Sequence, residues 1–289
     1  MIPPEILAIG LGLFSAVTVA LANFGTKVGG DVLTARMVMS ISMAIYVLPF
    51  VPFVAPPPAD LWPSLFGAIA VHWVYQIGLV RALQRGDLSR VFPVMRGSAP
   101  ILVALLAVPL LGEHLTPAGW AGLILASLAV ISFALPEGGQ ISAAQRQLDR
   151  SALFWAGITA LGIGAYTVVD AGVIRQMPSP YTFIVYLFIL DWIGITAVTL
   201  FIRRGQVWQH VRPQLKPAML GGVSGTFSYG AALYAFTLID ASFVTALRET
   251  SAVWAALMGA FWLKEGFGRR RINAASILVA GLIIMQMFG

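Results

Sequence analysis

Apolar residues fall along this chain in about ten blocks of roughly twenty, parted by short polar connectors, and that pattern predicts its architecture. A hydrocarbon core about 30 Å thick is crossed by roughly 20 residues rising 1.5 Å each. The blocks lie near 5–24, 32–53, 62–82, 88–111, 117–135, 152–172, 180–202, 216–238, 242–263 and 272–288. Each is continuously apolar, without the alternation of lipid-facing strands, so the spacing predicts helices and not a β-barrel. The expected fold class is therefore an all-α polytopic membrane protein of about ten transmembrane helices.

The longest hydrophilic stretch, PEGGQISAAQRQLDRS at 136–151, reads as a cytoplasmic connector between a first repeat (1–135) and a second (152–289). Sliding the chain by 152 positions lays VMRGSAPILVALLAVPLLGE (94–113) over ALRETSAVWAALMGAFWLKE (246–265). Arg96 then meets Arg248, Ala104 meets Ala256, Leu105 meets Leu257, Leu111 meets Leu263 and Glu113 meets Glu265. With a small register change, 120–133 also fits 274–287. An odd number of helices per copy inserts the second copy upside down, giving two inverted five-helix repeats that act as one unit.

Composition agrees: 58% hydrophobic and 10% charged residues cannot wrap a water-soluble core of this length. The absence of cysteine excludes disulfides, thiol chemistry and thiolate metal sites. A net charge of +6 and a pI near 10 would suit nucleic acid in a soluble protein. Here the charge is explained by loops, since 14 of the 18 basic residues fall in odd-numbered connections and only Arg175 in an even one. Cationic loops stay in the cytoplasm, which places both termini outside and leaves no role for nucleic acid. The start, MIPPEILAIG, has no positive region and reads as a retained helix and not a signal peptide.

The row ALQRGDLSRVFPVMRGSAPILVALLAVPLLGEHLTPAGWAGLILASLAVI resembles the EamA-like repeat of the drug/metabolite transporter superfamily, including its ending at Leu111, Gly112 and Glu113. The second copy resembles it too, with Lys264 in place of glycine before Glu265. The resemblance implies a five-plus-five-helix transporter of a bacterial inner membrane, working by alternating access and commonly exporting amino acids or other small metabolites. It names no substrate.

The remaining three basic residues, Arg36, Arg96 and Arg248, lie inside predicted helices. Arg96 is roughly 12 Å deep and Arg248 roughly 9 Å, measured from opposite faces at 1.5 Å per residue. Two guanidinium groups approaching the midplane from either side suit bidentate capture of a carboxylate, phosphate or phosphonate. The plainer reading is that each snorkels to its nearer interface. His72 and Gln76, four apart on one helical face, lie over Ser224 and Ser228 on the 152 shift, so both copies present a polar stripe. Trp73, Tyr75, Tyr229 and Tyr234 nearby are candidates for aromatic walls, or simply for packing. Gly221, Gly222, Gly225 and Gly230 allow either close helix approach or a flexible gate. Glu249, Asp191 and Asp170 are candidate proton carriers, with structural ion pairs as the alternative, and Glu249 leads because it follows Arg248.

No catalytic motif survives inspection. Gly222–Gly225 spell G-x-S-G, the serine motif of rhomboid proteases, but no histidine follows His210, which falls in a predicted loop. No Walker loop, HExxH or GxGxxG is present, and His72, His114 and His210 are too scattered for a metal cluster. The reading is a secondary transporter, without cofactor or metal, exporting a small anionic or zwitterionic metabolite such as an amino acid or organic acid. An exporter of organic cations, or a non-transporting scaffold or sensor, is the alternative. Ala274, Ala275, Ala280 and Gly281 on the last helix suit a homodimer contact or intramolecular packing equally.

Overall fold

The computed structural model describes residues 3–27, 31–86, 88–132, 143–254 and 269–288. Its α-helices are α1 (Pro4–Lys27), α2 (Val32–Val47), α3 (Trp62–Leu83), α4 (Leu88–Leu111), α5 (Pro117–Ser132), α6 (Ala143–Gln176), α7 (Pro180–Arg203), α8 (Val207–Ala235), α9 (Ala241–Arg248) and α10 (Arg269–Phe288). Among the described residues there is no strand. Among the described residues six stretches are long and apolar enough to cross a membrane: Pro4–Ala22, Val32–Phe53, Ala59–Leu83, Val91–Leu111, Arg150–Gln176 and Pro180–Ala235, the last holding both α7 and α8. Their outer faces expose large apolar side chains, among them Phe53, Phe201 and Leu220, which lipid accepts and water does not. The chain is a multi-pass membrane protein.

Helix ends differ from the hydropathy blocks for identifiable reasons. The second block ends its α-helix at Val47 and continues as a 3₁₀ turn over Leu48–Phe53, where Pro49 and Pro52 remove backbone donors. α6 starts at Ala143 because AAQRQLDR are good helix formers that hydropathy does not see. α8 starts at Val207, so His210 sits on a helix and not in a loop. α9 stops at Arg248, and a turn at Glu249 and Thr250 follows. Of the expected features, 136–142 of the connector and 255–263 of the ninth block lie outside the described residues, as do Ala256, Leu257, Leu263, Lys264 and Glu265.

The helices pack as α1 with α8 and α9, α3 with α6 and α7, α4 with α6, and α2 with α8. Three further pairs, α2 with α7, α4 with α9 and α5 with α10, join the two halves. Replacing each helix by its counterpart in the other half converts the first set into itself and leaves those three pairs unchanged. Small residues permit the closest of these approaches. A Cβ on Gly122 would lie 2.6 Å from the Gly281 carbonyl oxygen and 2.8 Å from the Met285 nitrogen, so α5 and α10 touch backbone to backbone. Gly281 and Ala274 are buried there, so that part of the last helix's small-residue face packs within the chain. Gly222 and Gly225 similarly press on Ser42 and Met39 of α2, a packing role. Gly122→Val is expected to lower the melting temperature in detergent sharply, since overpacking against rigid backbone costs about 1–3 kcal/mol or more. An unchanged melting temperature would contradict this contact.

The connections segregate to two ends. At one, the Thr182 hydroxyl donates to the Ala55 carbonyl (3.1 Å), and Thr116 donates to the Phe288 carbonyl. At the other, Arg203 pairs with Asp31 (2.7 Å) and Arg85 lies over Trp155. The first end is locked by Glu113, which is 3% exposed. Gly112, with φ of 68°, turns the chain out of α4 and delivers Glu113 to the start of α9. Its carboxylate accepts from the backbone N–H groups of Ala241 (2.6 Å) and Ser242 (3.1 Å) and from the Ser242 hydroxyl (2.7 Å). It also pairs with Arg175 (3.2 Å), whose Nε donates to the Phe236 carbonyl (2.8 Å). The leucine-glycine-glutamate ending is thus an N-terminal cap for a helix of the other half.

Candidate functional site

A cavity with about 860 Å³ of space free of protein atoms, mouth included, lies among α1–α4 and α6–α9. Its polar lining is Arg36, His72, Arg96, Thr159, Asp191, Ser228 and Arg248; Tyr75, Tyr166, Phe188 and Tyr229 supply aromatic walls, and Met39, Met43 and Met95 a soft apolar one. Toward the Glu113 end the bundle is closed by the buried core of Leu65, Ile69, Val103, Ile174, Phe183 and Phe236. The cavity is therefore offset toward the end that carries Asp31 and Arg203.

Three polar groups are built around it. In the first, Arg36 Nε (3.2 Å) and the Ser40 hydroxyl (3.3 Å) both donate to Gln76 Oε1. The Gln76 amide in turn donates to both Asp191 oxygens (2.8 and 2.9 Å). That bridge links a cation on α2 to an anion on α7 without direct contact. In the second, His72 Nε2 meets Asp170 Oδ2 at 2.7 Å, and the Tyr229 hydroxyl donates to the same oxygen (2.5 Å). The imidazole stacks on Tyr166 with ring centres 4.4 Å apart.

In the third group, Arg96 Nη2 donates to the Arg248 carbonyl (3.4 Å) and lies 3.3 Å from Glu249 Oε1. The Glu249 contact is an ion pair by distance only, because neither carboxylate oxygen has a well-aligned hydrogen bond. The break after α9 exposes the carbonyl that Arg96 uses, and the helix's C-terminal dipole favours a cation there. Arg248 itself lies over the Tyr229 ring at 5.4 Å, 3% exposed. Its Nε has no hydrogen-bond partner, and among the described residues no carboxylate stands within ion-pairing distance. Neither Arg96 nor Arg248 snorkels; both line the interior.

Of the residues singled out in the sequence, Arg96, Arg248, His72, Tyr75, Gly225, Ser228, Tyr229 and Asp191 line the cavity, and Ser228 also bridges to the Ser15 carbonyl of α1 (2.8 Å). Gln76, Asp170 and Glu249 stand directly behind lining residues. Trp73, Ser224 and Tyr234 do not line it. Trp73 donates to the Asp191 backbone carbonyl (2.9 Å) and packs on Gly194. Tyr234 belongs to a separate apolar groove with Tyr181 and Phe50. Sequence reasoning assigned nothing to Arg36, Tyr166 or the three methionines. Arg36 was legible, being an in-helix charge of the same kind as the other two. The 152 shift also places it over Phe188 and Met39 over Asp191, and all four line the cavity. Tyr166 and the methionines carry no signal that separates them from ordinary helix packing.

Residues 2–135 and 150–287 each match the model of the EamA-like transporter family. A solved structure titled only "Crystal structure of protein" superposes with a TM-score of 0.70 at 16% identity, covering 96% of this chain and 95% of that one. At that identity the likeness speaks for the fold alone. No curated protein matches the chain.

Proposed function

The chain belongs to the EamA-like transporter family, and from that premise we propose that it is a secondary transporter exporting a small amphipathic acid through this cavity by alternating access. An amino acid or organic acid with an apolar body is the substrate class. One observation carries the reading: Arg248 is a buried guanidinium facing the cavity, and among the described residues no carboxylate stands within ion-pairing distance of it. A buried unpaired charge is costly, and an anionic group of the substrate would relieve that cost. The carboxylates, by contrast, are engaged: Asp191 by Gln76, Asp170 by His72 and Tyr229, and Glu249 beside Arg96. That arrangement disfavours an organic cation. Aromatic and methionine walls suit an apolar body of variable shape.

The interchange of helix neighbours between the halves supports the inverted-repeat construction, with the site where the repeats meet. The basic odd-numbered connections support a cytoplasmic placement for the Asp31 and Arg203 end, so the cavity is the inward one and the Glu113 end the closed outer gate.

Thermal stability of the purified protein with phenylacetate, phenylalanine and phenethylamine tests the reading, because the three share an aromatic body and differ in charge. The two acids should raise the melting temperature with concentration and the amine should not. Stabilisation by phenethylamine alone would favour a cation exporter. No response to any of the three would contradict the proposal and fit a scaffold or sensor.

A further inference from the structure

Resting on the transport reading just proposed, we infer that His72 and Asp170 together carry the proton that couples to transport, and that Tyr229 ties this pair to the anion-binding guanidinium of Arg248. His72 lines the cavity and is within reach of its water, whereas Asp170 is fully buried behind it on α6. Asp170 Oδ2 faces both His72 Nε2 (2.7 Å) and the Tyr229 hydroxyl (2.5 Å), while Oδ1 is buried without a partner. With Nε2 donating to the carboxylate, Nδ1 of the imidazole takes the incoming proton. The pair then passes from one net negative charge to none, and no other group has to change.

The other candidates are less suited. Both Asp191 oxygens are acceptors for the Gln76 amide, which fixes that carboxylate as the counter-charge of Arg36. Glu249 lies behind Arg96, does not line the cavity and makes no hydrogen bond to a group that relays protons.

The groups facing the pair are Arg36 from α2 and Asp191 from α7, acting through space, Tyr166 on α6 itself and Tyr229 from α8. Arg248 lies over the Tyr229 ring from the end of α9, and Arg96 on α4 acts with it on Tyr166 through space. Arg36 is balanced by Asp191 and Arg96 by Glu249, which among the described residues at the cavity leaves Arg248 and the His72–Asp170 pair as the two unmatched charges. In the proton-free site they balance each other across Tyr229. A carboxylate docking on Arg248 upsets that balance, and protonation of the pair restores it. Acid and proton therefore bind together and leave together, so export is driven by the outward gradient of the acid itself and is opposed by an inward proton gradient.

The chain has no cysteine, so a single introduced thiol reports alone. Ala107 is fully buried in the core that closes the Glu113 end, and Ala107→Cys should react with a maleimide only when that end opens. In lipid vesicles its labelling rate, divided at each pH by the rate of the same thiol in the denatured protein to remove the effect of thiol ionisation, is expected to change at least about fivefold between about pH 5 and pH 8. His72→Gln and Asp170→Asn should each flatten that response, whereas Glu249→Gln, which frees Arg96 of its counter-charge, should move its midpoint to lower pH without flattening it. Tyr229→Phe should move its midpoint to higher pH, because the ionised carboxylate loses one of its two donors. A response that persists in both His72→Gln and Asp170→Asn overturns the inference, as does one lost only in Glu249→Gln or absent from the parent. If the first two variants do not reach the membrane, an unmoved midpoint in Tyr229→Phe overturns it. A response lost in both variants while phenylacetate leaves labelling unaffected would support the proton pair and sink the anion site, so the two failures are separable.

Discussion

Arg248→Gln is expected to weaken phenylacetate binding by about thirtyfold or more and to abolish its flux, with folded protein still present in the membrane. Truncating one partner of a buried charge pair costs about 2–5 kcal/mol, and each 1.4 kcal/mol is tenfold. The ligand-free protein should lose less stability than with Arg96→Gln, since among the described residues Arg248 has no carboxylate within ion-pairing distance and its direct contact is the Tyr229 ring. Arg96→Gln should behave differently. It removes the cation beside Glu249 and a donor to the Arg248 carbonyl, stranding a buried carboxylate, so the melting temperature should fall as well. Ligand titrations and melting curves on the two variants separate a residue that binds from one that mainly holds the site together. Equal stability losses in both would contradict the distinction.

The second large effect lies at the closed end. Glu113→Ala is expected to cost about 3–5 kcal/mol, the range for breaking a buried charged network. It leaves the Ala241 and Ser242 N–H groups without their acceptor and removes the anion from the N-terminus of α9. Most of the loss should come from those backbone donors. The Arg175 contribution is smaller, because that side chain is 30% exposed and partly served by solvent. Arg175→Ala should accordingly cost less than Glu113→Ala. Melting curves of the two variants check the order, and the reverse order would mean that the ion pair, and not the cap, holds the end closed.

Much of this was legible in the sequence because lipid imposes simple rules. Continuous apolar runs gave the helices, and the 152-residue shift paired Arg96 with Arg248, which the structure brings to one cavity. Hydropathy failed where it is blind. It ran the second block through Pro49 and Pro52, missed the polar first turns of α6 and α8, and could not see α9 break at Arg248. Partners also escaped it, since they depend on how helices rotate about their axes. Asp170 stood out only as a lone acid, yet it joins α6 to His72 on α3 and Tyr229 on α8. Glu113 looked like a loose family signature and proved to cap a helix more than a hundred residues away. Trp73 and Tyr234 shared the right region of sequence with the site but face other contacts.

The most direct measurement is counterflow of labelled phenylacetate in vesicles reconstituted with the parent protein and with Arg248→Gln, alongside phenethylamine. Saturable exchange of the acid by the parent, its loss in the variant and no exchange of the amine are the expected results. Undiminished exchange of the acid by Arg248→Gln would contradict the claim that an unpaired buried guanidinium receives the substrate's negative charge.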